Sequence, residues 1–251
     1  MSRVAIVTGA TGGIGSEFIR RIASDENIDE IWAVGRNKEK LSKLSEEYPK
    51  VVPVEADLSK GVAEISAKLK SDTPDVKLLI NNAGTGYLGL FDKMGTGSVE
   101  SLCMLNCTVP AMLVSECLPY MKDGSGIINI SSSSSFQPNP YLTMYSASKV
   151  FVKNFSRALG VELKKRGIKV TCSCPGWVDT GMLPKEKNGK KINYFGRISA
   201  EKVVKNTLSD LRRGRDLSLP GFFSKYFRLY SKYMPTKIVM SQWAWIMKKY
   251  V

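Results

Sequence analysis

Histidine is missing from this chain of 251 residues. Its absence excludes Ser-His-Asp and Cys-His mechanisms, so any proton moved near neutrality must travel on another side chain. Cysteine is sparse. Cys103, Cys107, Cys117, Cys172 and Cys174 make an odd count inside or beside apolar runs, which reads as core thiols instead of a disulfide framework. Neither Cys103/Cys107 nor Cys172/Cys174 has the spacing of a zinc ribbon, so no metal site is expected. No apolar run approaches the roughly 18 residues of a membrane span. Val4 to Val7, after Met1-Ser2-Arg3, is too short for a signal-peptide core, and a cytoplasmic protein is expected.

Acid is missing from the C-terminal end: none follows Asp216. The net charge of +14 is therefore unevenly spread. In residues 1–181, 21 Lys and Arg face 19 Asp and Glu; in residues 182–251, 16 face 4. A basic protein raises the question of nucleic acid, but the rest of the pattern does not support it, and no nucleic-acid partner is expected.

Strand-length apolar runs (Val4 to Val7, Ile31 to Val34, Val51 to Val54, Leu78 to Ile80, Ile127 to Ile130, Ile168 to Cys172) each precede an amphipathic stretch. This alternation predicts an α/β fold, a doubly wound, Rossmann-like parallel sheet with helices on both faces. Buried parallel strands are expected to be almost continuously apolar, and these are. The reading gives one catalytic domain over residues 1–221, with residues 222–251 as a basic, aromatic extension of the same domain.

The first strand runs into T-G-A-T-G-G-I-G, Thr8 to Gly15, and a helix follows. Glycines at 9, 13 and 15 let the backbone approach a pyrophosphate closely, while the helix start offers free N–H groups and the positive end of its dipole. A dinucleotide cofactor is expected there. About twenty residues on, where an acid would select NAD, stand Gly35 and Arg36. A guanidinium suits the extra phosphate of NADP, so NADP(H) is preferred over NAD(H); a basic start to the next helix is the plainer reading of the same residues.

In Y-S-A-S-K, Tyr145 and Lys149 are four apart and share one helix face. A fixed cation beside a phenol favours the phenolate and lowers a pKa that is ordinarily about 10. With no histidine present, this pair is the best proton carrier the sequence offers.

Together these residues resemble the short-chain dehydrogenase/reductase family, closest in kind to its hydroxysteroid dehydrogenase and carbonyl reductase members. Thr8 to Gly15 matches the family's glycine loop, Asn81 to Gly84 its N-N-A-G, Tyr145 to Lys149 its Y-x-x-x-K and Pro175-Gly176 its P-G. The resemblance implies Ser132, Tyr145, Lys149 and Asn106 as catalytic residues. Ser131, Ser133 and Ser134 are rivals to Ser132 if the chain bulges, and Asn106 also reads as a polar group at a helix kink near Pro110. It implies cofactor contacts from Thr8, Gly9, Thr11, Gly13, Ile14, Gly15, Arg36, Asp57, Leu58, Asn82, Ala83, Gly84, Tyr145, Lys149, Pro175, Gly176, Val178 and Thr180. The implied activity is hydride transfer between a nicotinamide and a carbonyl or alcohol, with Tyr145 as acid or base. It also implies a homo-oligomer, dimer or tetramer, paired through helices from about Val99 to Tyr120 and from Tyr145 to Arg166, with Phe151 and Phe155 at the interface.

The tail departs from the family. Nine of the chain's 23 aromatics lie between Phe222 and Tyr250, with six Lys or Arg and no acid. Helical spacing predicts an amphipathic helix from about Phe222 to Met234. Its readings are an accessory or interface helix, a substrate lid with Trp243 and Trp245 packed nearby, or a membrane-surface helix. The segment from Met182 to Ile198, where relatives carry a substrate loop, is polar and basic. The expected activity is NADPH-preferring interconversion of a carbonyl and an alcohol on a bulky apolar substrate, a steroid or a long acyl chain. A ketoacyl-carrier-protein reductase docking an acidic carrier, and a non-enzymatic NADPH sensor, are the alternatives.

Overall fold

The structure, a computed structural model, describes residues 1–248 apart from Met182, Pro184, Lys185, Asn188, Gly189, Ile192, Asn193 and Phe195. Eight of the 17 residues of the expected substrate-loop segment, Met182 to Ile198, therefore lie outside the described residues, as does Tyr250.

Six strands match the apolar runs: β1 (Arg3–Thr8), β2 (Glu30–Gly35), β3 (Val51–Glu55), β4 (Asp75–Asn81), β5 (Gly126–Ile130) and β6 (Lys169–Ser173). A short antiparallel pair, β7 (Glu186–Lys187) and β8 (Lys190–Lys191), stands apart. A further strand, β9 (Leu217–Ser218), completes a seven-stranded sheet in the order β3-β2-β1-β4-β5-β6-β9. All six pairings within it are parallel. This is the expected doubly wound, Rossmann-like single domain. The strand order reverses between β1 and β4, so the crevice for a ligand opens at their carboxyl ends.

The two-residue period of a strand divides the core. Val4 and Ile6 point to one face of the sheet, where α3 (Ala63–Asp72), α5 (Val109–Cys117) and α6 (Thr143–Glu162) supply Ile65, Leu69, Leu113, Val114 and Leu159. Ala5 and Val7 point to the other, covered by α1 (Gly13–Ile22), α2 (Lys38–Glu47) and α7 (Ala200–Arg212) through Phe18, Ile19, Leu41, Val204 and Leu211.

Ahead of α5, α4 (Thr96–Cys103) passes through a π-helical turn, Met104–Thr108, where one extra residue per turn leaves a kink. The whole run Thr96–Tyr120 is long and apolar enough to cross a membrane by length and composition, at variance with the expectation of no such stretch. In this fold Leu102, Val109, Leu113, Val114 and Cys117 of that run are buried in the core.

The tail forms two helices, α8 (Gly221–Tyr233) and α9 (Thr236–Met247). Met234, which precedes Pro235, is extended, as the proline ring demands of its neighbour. Phe227, Trp243 and Met247 pack with Leu142 into a separate cluster that also receives Tyr145, Trp177 and Phe223. Trp245 does not join it: 81% exposed, it lies on the outer face of α9. Two residues apart on a helix are about 200° apart around its axis, so Trp243 and Trp245 cannot both face inward.

Candidate active site

The loop between β1 and α1 is built for close approach. Gly9 has a φ of +62°, the left-handed region that favours glycine, and a Cβ on it would stand 2.9 Å from the Asn82 amide nitrogen. A Cβ on Gly15 would fall 2.1 Å from the Gly9 carbonyl oxygen, so that position admits only glycine. The loop is pinned to the end of β4. Asn82 Nδ2 donates to the carbonyls of Thr8 and Gly9 at 3.0 and 3.1 Å, while Thr8 Oγ1 accepts from the N–H groups of Asn82 and Ala83 at 3.0 Å each. Thr8 and Asn82 thus hold the loop's shape. No side chain caps α1 at Gly12 and no acid sits in its first turn, leaving its N-terminal N–H groups for an anion. A Cβ on Gly13 would meet the Thr180 methyl at 2.9 Å, which places Thr180 over the start of α1.

At the far end of the crevice a Cβ on Gly35 would touch Thr11 at 3.6 Å. Arg36 is exposed there, and Asn37, not Arg36, caps α2 by accepting from Lys40 N–H at 2.7 Å. The Asp57 carboxylate accepts from Ser59 N–H and Oγ at 3.2 and 2.7 Å; the Ser59 hydroxyl first, with Arg36 among the lesser causes, holds its pKa below the usual value. Leu58 is buried beside it, while Ile14 and Ala83 are half-buried.

Asn106 is buried in the π-helical turn with every polar atom engaged. Its Oδ1 accepts from Thr85 N–H at 2.9 Å; its Nδ2 donates to Thr85 O at 2.9 Å and Ser148 Oγ at 3.0 Å. It ties the segment after β4 to α6. A Cβ on Gly84 would approach Asn106 Oδ1 at 3.2 Å and Lys149 Nζ at 3.5 Å, so the three converge.

Among the serines, Ser132 is the one set against the Tyr145 phenol, where it opposes the upward shift of its pKa. Its own geometry is fixed because it caps a short 3-10 turn, accepting from Ser134 N–H at 3.1 Å. Ser131 is turned to the Lys149 carbonyl at 2.7 Å, and Ser135 lies against Cys174. Lys149 is buried; its Nζ donates to Ile130 O at 2.9 Å and lies 5.6 Å from the Tyr145 ring centre.

The electrostatics differ from the sequence expectation. Burial pushes the Tyr145 phenol above its ordinary value, against the opposing hydrogen bond from Ser132. Burial also lowers the Lys149 ammonium to about 8. Burial leads both shifts, and for Tyr145 it favours the neutral phenol. Tyr145 is thus held as a protonated acid near neutrality.

Pro175, Gly176 and Val178 follow β6. The Pro175 carbonyl accepts from Ser133 N–H at 2.8 Å, Val178 is buried and bridged to Ile198, and a Cβ on Gly176 would strike the Phe223 ring at 2.9 Å. The first turn of α8 therefore lies on the catalytic end of the sheet.

A cavity of about 480 Å³ is walled by Trp177, Phe223, Phe227, Tyr230, Trp243 and Met247 among others; Tyr145 does not line it but packs against the cluster of Phe227, Trp243 and Met247 that does. Gln137 also lines it, and its buried Nε2 has no hydrogen-bond partner among the described residues. The sequence reading missed Gln137, Trp177 and Ser148. Trp177 directly follows the P-G motif and Ser148 lies within Y-S-A-S-K, so both had a positional signal; Gln137 had none.

The family model for short chain dehydrogenases matches residues 3–191. Hydroxysteroid dehydrogenase-like protein 1 from Gallus gallus is 33% identical over 88% of this chain and 68% of its own length. Inactive hydroxysteroid dehydrogenase-like protein 1 from Homo sapiens is 29% identical over 97% of this chain and 74% of its own. Among solved structures, a short-chain dehydrogenase from Sphingobium yanoikuyae in complex with NADPH superposes with a TM-score of 0.77 at 25% identity, covering 95% of both chains. A bulky-bulky ketone specific alcohol dehydrogenase from Comamonas testosteroni superposes with a TM-score of 0.74 at 28% identity, covering 95% of this chain and 94% of its own.

Proposed function

The chain belongs to the short chain dehydrogenase family, NAD(P)-dependent oxidoreductases acting on CH–OH groups, and from that premise we propose that it reduces a bulky apolar ketone with NADPH. The residues present fit the cofactor. Gly9 and Gly15 clear a cradle that any Cβ would fill, and the uncapped start of α1 offers N–H groups to a pyrophosphate. Arg36, exposed at the end of β2, would take the additional phosphate of NADP.

Bound in this crevice, a reduced nicotinamide supplies a hydride to the carbonyl carbon. Tyr145 gives its phenolic proton to the carbonyl oxygen, completing the alcohol. Ser132 hydrogen-bonds the same oxygen as negative charge develops. Lys149, its Nζ anchored on Ile130 O, carries positive charge at the bottom of the site below about pH 8. Asn106 acts as a positioning residue, since its three hydrogen bonds join Thr85 to Ser148 on α6.

Support for the apolar substrate comes from the cavity. A site of this volume lined by aromatic rings takes a drug-sized apolar molecule, and the Gln137 amide gives one polar handle at its wall. The observation that carries the reading is Tyr145, with Lys149 Nζ 5.6 Å from its ring, packed against the Phe227, Trp243 and Met247 cluster that walls the cavity. The same residues favour an active enzyme here, although two relatives, from Homo sapiens and Pongo abelii, carry the word inactive in their names.

A panel of ketones graded by bulk, with hydroxysteroids and acyl thioesters beside them, scored by NADPH consumption, tests the proposal. The largest kcat/KM is expected for ketones with an apolar group on both sides of the carbonyl. Preference for thioesters of an acidic carrier, lost in salt, would replace it with the carrier-protein reading, and no turnover on any carbonyl would leave a cofactor-binding sensor.

A further inference from the structure

On α8, Phe222, Tyr226, Leu229 and Tyr233 follow one another at steps of four, three and four residues, a single stripe along a helix. All four are exposed, Phe222 by 79% and Tyr233 by 72%. The opposite face of the helix holds Ser224 and Phe227 in the core. On α9, Ile238, Trp245 and Ile246 are likewise exposed, while Val239, Trp243 and Met247 are buried. The hairpin is fixed in this orientation. The Phe227 and Trp243 rings meet edge to face at 5.9 Å, Trp243 Nε1 donates to Pro140 O at 3.1 Å, and Tyr230 Oη donates to Gln242. Turning the apolar stripes inward would break this packing.

Two helices thus carry a second apolar face beyond the one the core uses. Monomeric soluble proteins rarely expose contiguous apolar patches of more than a few hundred Å². Basic residues flank the stripes: Lys225, Arg228 and Lys232 on α8, and Lys237 and Lys248 on or beside α9, all exposed. No acid follows Asp216 in the sequence. Exposed aromatics edged by Lys and Arg, with no acidic residue, are the composition of a helix lying in the headgroup region of an anionic bilayer. The cavity reaches this surface: Tyr226, Met234 and Ile246 all line it and stand exposed.

We propose that the outer face of α8 and α9 docks on an anionic lipid surface and brings the mouth of the substrate cavity against the bilayer. An apolar ketone then reaches the site from the lipid phase, its own medium, without crossing water. This inference rests on the proposed function for what enters the cavity, whereas the docking rests on the surface alone.

The test is co-sedimentation of the purified full chain with vesicles of phosphatidylcholine alone or mixed with phosphatidylserine. Phe222→Ser/Trp245→Ser and Lys232→Glu/Lys237→Glu are compared with the wild type, using residues that do not line the cavity. The wild type is expected to pellet with the mixed vesicles, to be released by salt, and to pellet weakly with the neutral ones. Each Lys→Glu change reverses a charge and should weaken binding about twenty-five-fold, roughly fivefold for each of the two charges involved. The Phe222→Ser/Trp245→Ser variant should lose pelleting yet keep wild-type NADPH turnover on a short water-soluble ketone. Failure of the wild type to pellet, or pelleting indifferent to both sets of changes, overturns docking. So does a drop in oligomer size of the Phe222→Ser/Trp245→Ser variant in sedimentation velocity without vesicles, because a second copy then covers the face. Absence of turnover in every form would overturn the enzymatic reading and leave the docking result standing.

Discussion

Burying the Lys149 ammonium is costly, and the site keeps it nonetheless. A shift from 10.5 to about 8 corresponds to destabilisation on the order of 3 kcal/mol near neutrality, at about 1.4 kcal/mol per unit. The sign follows from linkage. Below pH 8 both states hold the proton and the folded state bears the full penalty; between 8 and 10.5 the unfolded chain holds a proton that the folded one has released, so stability rises with pH. Lys149→Met should therefore raise the urea midpoint at pH 7 and abolish turnover, and the wild type should approach the variant's stability by about pH 10. A midpoint lower in the variant at pH 7 would mean that the Lys149 hydrogen bond to Ile130 outweighs desolvation. At the other end of the crevice, Arg36→Ala should raise the KM for NADPH roughly tenfold or more, as the loss of a charge-assisted contact implies, and leave that for NADH nearly unchanged. Equal loss with both cofactors would give the arginine a structural role. At this scale the sequence was a good guide to which residues meet and a poor one to their charge. Four-residue spacing brought Tyr145 and Lys149 together, but burial, which spacing does not report, reversed the expected direction of the tyrosine shift. Ser132 could be told from its neighbours only in three dimensions, where the turn it caps orients it toward the phenol.

Elements with a strong period were legible, and those without one were not. The six apolar runs became β1 to β6, and helical spacing placed α8 within a residue of its observed ends. β9, two residues long, is too short to show a period and was missed. The lid reading packed Trp243 and Trp245 together beside the lid, but two residues apart on a helix they cannot share a face, and Trp245 became part of the exposed stripe. The inward one has a testable role. Val239, Gln242, Trp243 and Met247 of α9 wall the cavity, so truncation after Met234 opens one side of it. The KM for the best bulky ketone should rise roughly tenfold or more, since burial stabilises by about 25 cal/mol per Å² of apolar surface, while that for NADPH should change little. Parallel loss of NADPH affinity would show instead that α9 supports the whole crevice.

For the molecule as a whole, the division of labour follows the chain. The first half of the sheet supplies a crevice at the reversal of strand order; the end of β5 and α6 carry Ser132, Tyr145 and Lys149 at the end opposite Arg36; the tail walls an apolar cavity next to the cluster that Tyr145 joins. The sequence made the first two parts readable because glycine loops and fixed spacings carry them. The tail was only half readable, since which face of a helix meets the core depends on residues distant in the chain. The measurement that tests this account most directly is NADPH oxidation by the wild type and Tyr145→Phe with the best ketone of the panel, alongside NADPH affinity by fluorescence titration. Removing the phenolic proton while keeping the ring should lower kcat by roughly a hundredfold to ten-thousandfold and leave the affinity for NADPH intact; a variant that keeps more than about a tenth of the wild-type rate would contradict Tyr145 as the proton donor, general acid catalysis being worth at least a hundredfold.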